Sequence, residues 1–129
     1  MNIPSNLKYT KEHEWVRVEG KTGTVGITEH AEHALGDITF VELPKIGASV
    51  VQFGVLATIE SVKAASDIFT PVSGTVKEIN KGLESDPALV NQSCYEKAWI
   101  AKIEMNRPEE LKNLMDAVAY AAFLEEHSE

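Results

Sequence analysis

The sequence predicts a mainly β chain with one short internal helix and a helical tail. Three observations carry that reading. Apolar residues alternate with polar ones in several short segments, as in half-buried strands. Glycine, proline and asparagine punctuate the chain at close intervals, as turns between strands require. Helical spacing with capping residues occurs only near 29–35 and after Pro108. The 129 residues point to one domain, 1–129, with a core over about 8–104 and a helical segment over about 108–127. A chain of this size buries about two-thirds of its unfolded surface.

Glu14 to Glu19 (EWVRVE) alternates, with Val16 and Val18 on one face and Arg17 and Glu19 on the other. Gly20 to Gly23 offers a turn, and Thr24 to Thr28 alternates again through Val25 and Ile27, completing a hairpin. Thr28 reads as an N-cap, Glu29 suits the first turn, and Gly36 lies just past the end, so a short helix spans Glu29 to Leu35. Asp37 to Leu43 is rich in β-formers and is stopped by Pro44 and Gly47. Val50 to Thr58 is extended and apolar, broken at Gly54, and Val72 to Ile79 is a strand with a bulge or close approach at Gly74. Gly82 to Asn91 reads as loop, and Trp99 to Ile103 as the last strand. Pro108 suits a first helical turn, with Leu111, Leu114 and Met115 at helical spacing and Asp116 as a second cap.

Composition excludes whole classes of function. Hydrophobic residues at 43% and charged residues at 25% exclude disorder and collagen-like repeats. No apolar run approaches a membrane span, and the start lacks a signal-peptide core, which predicts a soluble protein with no membrane partner. The net charge of −8 disfavours nucleic acid. The single cysteine, Cys94, excludes an internal disulfide and every paired-cysteine zinc or redox motif.

The residues that usually carry chemistry form no complete set. His30 and His33 lie three apart beside Glu29 and Glu32, but no further ligand follows at metal-site spacing, so a solvated helix face is expected and no metal. His13 and His127 stand alone, His127 in a tail expected to fray. Cys94 has neither base nor cation at Ser93 or Tyr95 to lower its pKa. No catalytic residue is assigned, and the chain reads as a carrier or binding protein rather than an enzyme. The segment Ile59 to Pro71 (IESVKAASDIFTP) is ambiguous: its propensities lean to a short helix, while the flanks allow a hairpin with Lys63 at the tip.

At that segment, ESVKAASDI (Glu60 to Ile68) resembles the lipoyl-attachment segment of the glycine cleavage system H-protein family. Lys8 to Gly20 (KYTKEHEWVRVEG), Val25 to Ala31, Leu35 to Pro44 and Pro71 to Asn80 resemble the same family and occur in its order. The resemblance implies a flattened β-barrel or sandwich of two sheets, of the lipoyl-domain type, with Lys63 on a tight hairpin turn. It implies lipoate attached to Lys63. The arm would shuttle an aminomethyl group from a PLP-dependent glycine decarboxylase to a tetrahydrofolate-dependent aminomethyltransferase, and dihydrolipoyl dehydrogenase would reoxidise it. A lipoylating enzyme is the further implied partner, with the carrier a monomer in the bacterial cytoplasm; a mature mitochondrial form ranks second. Glu60, Gly47 and Gly74 match positions associated with presenting the lysine for lipoylation. Glu14 and Asp67 match residues that hold the loaded arm, which carboxylates can do for a cationic ammonium.

Two departures from the family pattern stand out. Cys94-Tyr95-Glu96-Lys97-Ala98-Trp99 replaces a common Pro-Tyr-x-x-Gly-Trp, so Ala98 is strained if that position needs a positive φ. Glu12 stands where many relatives carry a small hydroxyl residue. The loop change gives weight to an alternative carrier that donates lipoyl groups or serves another redox partner.

Overall fold

The computed structural model describes residues 1–127. Nine strands are present: β1 (Lys8–Tyr9), β2 (Glu14–Glu19), β3 (Thr22–Ile27), β4 (Ile38–Glu42), β5 (Ser49–Val50), β6 (Val55–Ser61), β7 (Ala65–Phe69), β8 (Gly74–Ile79) and β9 (Ala101–Met105). The helices are α1 (Glu29–Leu35), α2 (Gly82–Ser85), α3 (Leu89–Gln92) and α4 (Ala117–Glu126), with a 3-10 helix at Pro108–Asn113. One sheet runs β1-β2-β3-β9-β8-β5 and the other β4-β6-β7, with antiparallel pairing throughout. The expected barrel or sandwich of two sheets is borne out in its open form, since no ladder joins the two sheets among the described residues.

The two sheets close on one apolar core. Val16, Val25, Val76 and Ile103 come from the larger sheet, and Val41, Ile59 and Ile68 from the smaller. The alternation read in β2 places Val16 in this core and Trp15 on the opposite face. That opposite face is covered too. Leu7, Tyr9, Trp15 and Tyr120 form a second cluster, in which the Tyr9 and Tyr120 rings stack with centroids 4.6 Å apart. Trp15 needs space on its neighbour: it faces Gly26 across the hairpin, and a Cβ there would lie 2.5 Å from the indole Cζ2.

Capping follows the sequence at both well-formed helices. The Thr28 hydroxyl accepts from Ala31 N at 3.3 Å, and Gly36 ends α1 at φ +79°. Asp116 Oδ1 accepts from Ala119 N at 2.8 Å to start α4. Other expectations are corrected. Gly82 to Asn91 is not loop: α2 and α3 sink Leu83 and Val90 into the core, and burial imposes turns that local composition does not announce. The last strand begins at Ala101, two residues later than read, because Ile100 N bonds to Val25 O outside the ladder. The 3-10 helix stops at Asn113, and Met115 instead exchanges backbone hydrogen bonds with Tyr9. The hairpin turn is tighter than read, since Glu19 pairs with Thr22 across Gly20 and Lys21.

Gly74 is a close approach. At φ +157° it pairs with Val50 and Met105, and a Cβ would collide with the Glu104 carbonyl oxygen and lie 2.9 Å from Ile103 Cγ2. Gly47, at φ +92°, has open space around its Cβ position. Gly74→Ala should therefore cost about 3 kcal/mol or more in urea unfolding, since backbone must move. Gly47→Ala should cost only about 1 kcal/mol, the price of its left-handed φ. Equal losses for the two variants would contradict this difference.

Candidate functional site

Lys63 sits at the exposed tip of a hairpin between β6 and β7, not in a helix. The local propensity for helix loses because strand geometry alone puts Ile59 and Ile68 into the core. Ser61 builds the turn. Its N–H donates to Ala64 O at 2.7 Å, and its hydroxyl oxygen accepts from Lys63 N at 3.3 Å and Ala64 N at 3.1 Å. A serine side chain thus does the work that Asn-Gly does in other hairpins. Val62 N donates to Asp37 O at 3.0 Å, tying the tip to the segment after α1. The Lys63 butyl chain lies over Gly36, where an added Cβ would stand 3.4 Å from Lys63 Cε.

Two carboxylates flank the tip on exposed strand positions. Glu60 pairs with Ala65, and Asp67 pairs with Thr58, whose hydroxyl donates to Asp67 Oδ1 at 3.3 Å. Neither carboxylate, nor Lys63, is in an ion pair among the described residues. Glu14 is different. It is 1% exposed, on the core-facing side of β2 with Val16. The Thr10 hydroxyl donates to Glu14 Oε1, and Phe69 N at the end of β7 donates to Oε2 at 3.1 Å. Burial pushes its carboxyl up to about 7 despite those two bonds, and the nearby Glu12 adds to the rise.

A groove of about 460 Å³ opens beside Glu14, lined by Tyr9, Thr10, Lys11, Glu12, Phe53, Phe69 and Met115 among others. Thr10 and Phe69, the two groups that hold the Glu14 carboxyl, are part of its wall. The sequence expectation therefore has Glu14 behind the groove lining and Asp67 on the open strand face. A charged residue in phase with Val16 and Val18 was the sequence signal for this burial. The groove residues Phe53 and Met115 carried no such signal, because they meet only through the fold.

Residues 7–127 match the family model described as Glycine cleavage H-protein. The chain is 53% identical over 125 residues to the glycine cleavage system H protein of Symbiobacterium thermophilum, covering 97% of this chain and 98% of that one. It is 53% identical over 126 residues to the H protein of Escherichia coli, covering 97% and 98%. A crystal structure of the glycine cleavage system H protein of Mycobacterium marinum superposes with TM-score 0.82 at 32% identity, over 93% of this chain and 97% of that one. The chain belongs to the glycine cleavage H-protein family.

H proteins are lipoyl carriers rather than catalysts. His13 is not alone as the sequence suggested. Its ring lies 4.2 Å from that of His30, and its Nδ1 is 2.8 Å from the Tyr120 hydroxyl, which also meets Thr28 Oγ1 at 2.9 Å. Burial, with His30 beside it, pushes His13 down to about 4, so it is neutral at pH 7. His127 caps α4 and contacts Phe123 rather than fraying. Among the described residues no cluster suits a metal ion, and His33 sits exposed beside Glu32. Cys94 is buried and pushed up to about 12, chiefly by burial, so it stays a thiol. Ala98 is buried without a positive φ, and its N–H bonds to Ser93 O at 3.0 Å, so the feared strain does not arise. H-protein positions Gly47 and Gly74 lie at the β5–β8 edge of the larger sheet, whereas Glu60 and Lys63 share the β6–β7 hairpin.

The Glu14 shift has a stability consequence. Its folded pKa lies above the ordinary 4.5, so between that value and about 7 the folded chain binds more protons than the unfolded one. Its contribution is fully present below about 4.5 and is lost as pH rises through about 7. Glu14→Gln, which keeps the shape without the titration, should gain on wild type by on the order of 3 kcal/mol between pH 4.5 and pH 8. Paired urea titrations across that range would show it. A stability difference that does not change with pH would contradict the shift.

Proposed function

We propose that this chain carries lipoate as an amide on Lys63 and serves as the shuttle of glycine cleavage. The observation that carries the reading is Lys63 at the exposed tip of a braced tight turn, in a chain that matches the H-protein family over residues 7–127. The site fits the group: the Lys63 amine stands exposed and outside every ion pair among the described residues, with an apolar-walled groove in the same molecule. When attached, lipoate supplies the dithiolane that accepts an aminomethyl group and is returned to the disulfide. The chain's own residues anchor, orient and shelter that arm. Val62 and Ser61 hold the pivot still, so that the arm's reach and not the scaffold's motion brings it to each active site.

In this reading the partners are a PLP-dependent glycine decarboxylase, a tetrahydrofolate-dependent aminomethyltransferase, dihydrolipoyl dehydrogenase and a lipoylating enzyme. Glu60, beside the turn, is recognised during lipoylation, and Gly47 and Gly74 keep the scaffold in the form that presents the lysine. Glu14 and Asp67 hold the cationic end of the loaded arm. The carrier is one domain acting as a monomer in a bacterial cytoplasm. Bacterial relatives support that placement. Ala98 fits its loop without a positive φ, so the alternative carrier draws no support from backbone strain there.

Lys63→Arg tests the attachment. Arginine keeps the charge but its guanidinium is always protonated and cannot form the amide. The variant should fold as wild type, gain no lipoyl mass with a lipoylating enzyme, and support no glycine cleavage. A Lys63→Arg protein that still supports cleavage would refute the proposal. For the docked arm, Asp67→Asn and Glu14→Gln should each speed release of amine from the loaded protein. Release at the wild-type rate from both would remove these carboxylates from the docking role.

A further inference from the structure

Glu14 is a buried carboxyl with no cation to balance it. It is 1% exposed, and its two oxygens meet only neutral donors, the Thr10 hydroxyl and Phe69 N. No lysine, arginine or histidine forms an ion pair with it among the described residues. A charge in that position is unfavourable unless a counter-ion arrives. The surroundings pair none with it. Lys11, Glu12 and His13 are on the loop before it; Lys11 lines the groove but forms no ion pair with Glu14, Glu12 opposes ionisation, and His13 is neutral, pushed down to about 4 by burial and by His30. From β3 it faces uncharged Ile27, and from β7 it faces Phe69, two residues after the acidic Asp67. From α4 it meets the field of Tyr120, whose hydroxyl is pushed up to about 12 by burial with Glu14 adding to it.

We propose that Glu14 holds a proton in part of the molecules while the groove is empty and gives it up to solvent when a cationic amine enters, so that docking one ammonium releases up to one proton. The inference rests on the reading of Glu14 as a docking residue and adds its regulation. The balance is simple. A neutral carboxylic acid and an ammonium become a carboxylate–ammonium pair, and the displaced proton leaves to water. Thr10 and Phe69 already point their donors at the two oxygens, so the ionised form meets a preformed cradle. An unloaded arm is uncharged and gains nothing from this exchange. The groove therefore distinguishes loaded from unloaded arm, and the margin between them grows with pH until Glu14 is fully ionised. With a midpoint near 7 in the empty groove, docking should strengthen about tenfold between pH 6 and pH 8.

The test uses lipoylated protein labelled with carbon-13 at glutamate carboxyls, with the Glu14 signal identified by its loss in Glu14→Gln. In the unloaded protein that signal should titrate near neutrality; in the aminomethyl-loaded protein it should be ionised throughout pH 6 to 8. Amine release, measured relative to free aminomethyl-dihydrolipoamide, should slow about tenfold over the same range in wild type and show no such trend in Glu14→Gln. A Glu14 signal with the same midpoint in both forms overturns the proton coupling, even if Glu14→Gln loses protection and so upholds the docking role. Wild-type protection in Glu14→Gln at every pH instead removes the docking role, and the coupling with it.

Discussion

The hydrogen bond from Phe69 N to the Glu14 carboxyl joins the two sheets of the sandwich at the point that matters most. Glu14 belongs to β2 of the larger sheet and Phe69 to β7, the strand that descends from the Lys63 turn. No backbone ladder crosses between the sheets among the described residues, so their relative placement depends on core packing and on side-chain bonds of this kind. The same carboxyl takes the Thr10 hydroxyl, and Thr10 receives Glu14 N at 3.1 Å, which closes the loop between β1 and β2 around it. One buried acid therefore sets the groove wall, the loop and the foot of the Lys63 hairpin together.

The C-terminal segment completes the other wall. The 3-10 helix is fastened through Glu110, whose carboxylate accepts from Ser73 N at 2.8 Å and Ser73 Oγ at 2.6 Å. Gln52 donates to Pro71 O and Glu110 O, and accepts from Asn113 at 3.0 Å. These bonds bring Met115 to Tyr9 and Phe53 to the same groove. Beyond them α4 packs Tyr120 onto Tyr9, and the Tyr120 hydroxyl reaches His13 and Thr28. The helical tail read in the sequence is thus a strap over the outer face of β2.

A carrier of this design separates rigidity from motion. The turn at Lys63 is held by Ser61 and by the Asp37 carbonyl, and its strands bury Ile59 and Ile68. The lysine side chain is the free element. That arrangement suits the proposed lipoyl arm, since scaffold motion would only blur the reach of a group carried between active sites.

The sequence by itself determined the strands of the first hairpin, the Thr28 and Asp116 caps and the stop at Gly36. Each is set by residues adjacent in the chain, where period, cap chemistry and turn preference act directly. Tertiary structure decided the rest. It turned a helix-prone segment into the Lys63 hairpin, because only strand geometry buries Ile59 and Ile68 together. It made turns of α2 and α3 to bury Leu83 and Val90. It also withdrew Glu14 from water, which its alternation with Val16 hinted at and its charge concealed. The charge state of that carboxyl and the shape of the groove depend on Thr10, Phe69, Phe53 and Met115, distant in sequence and brought together only when both sheets and the C-terminal strap close on one another.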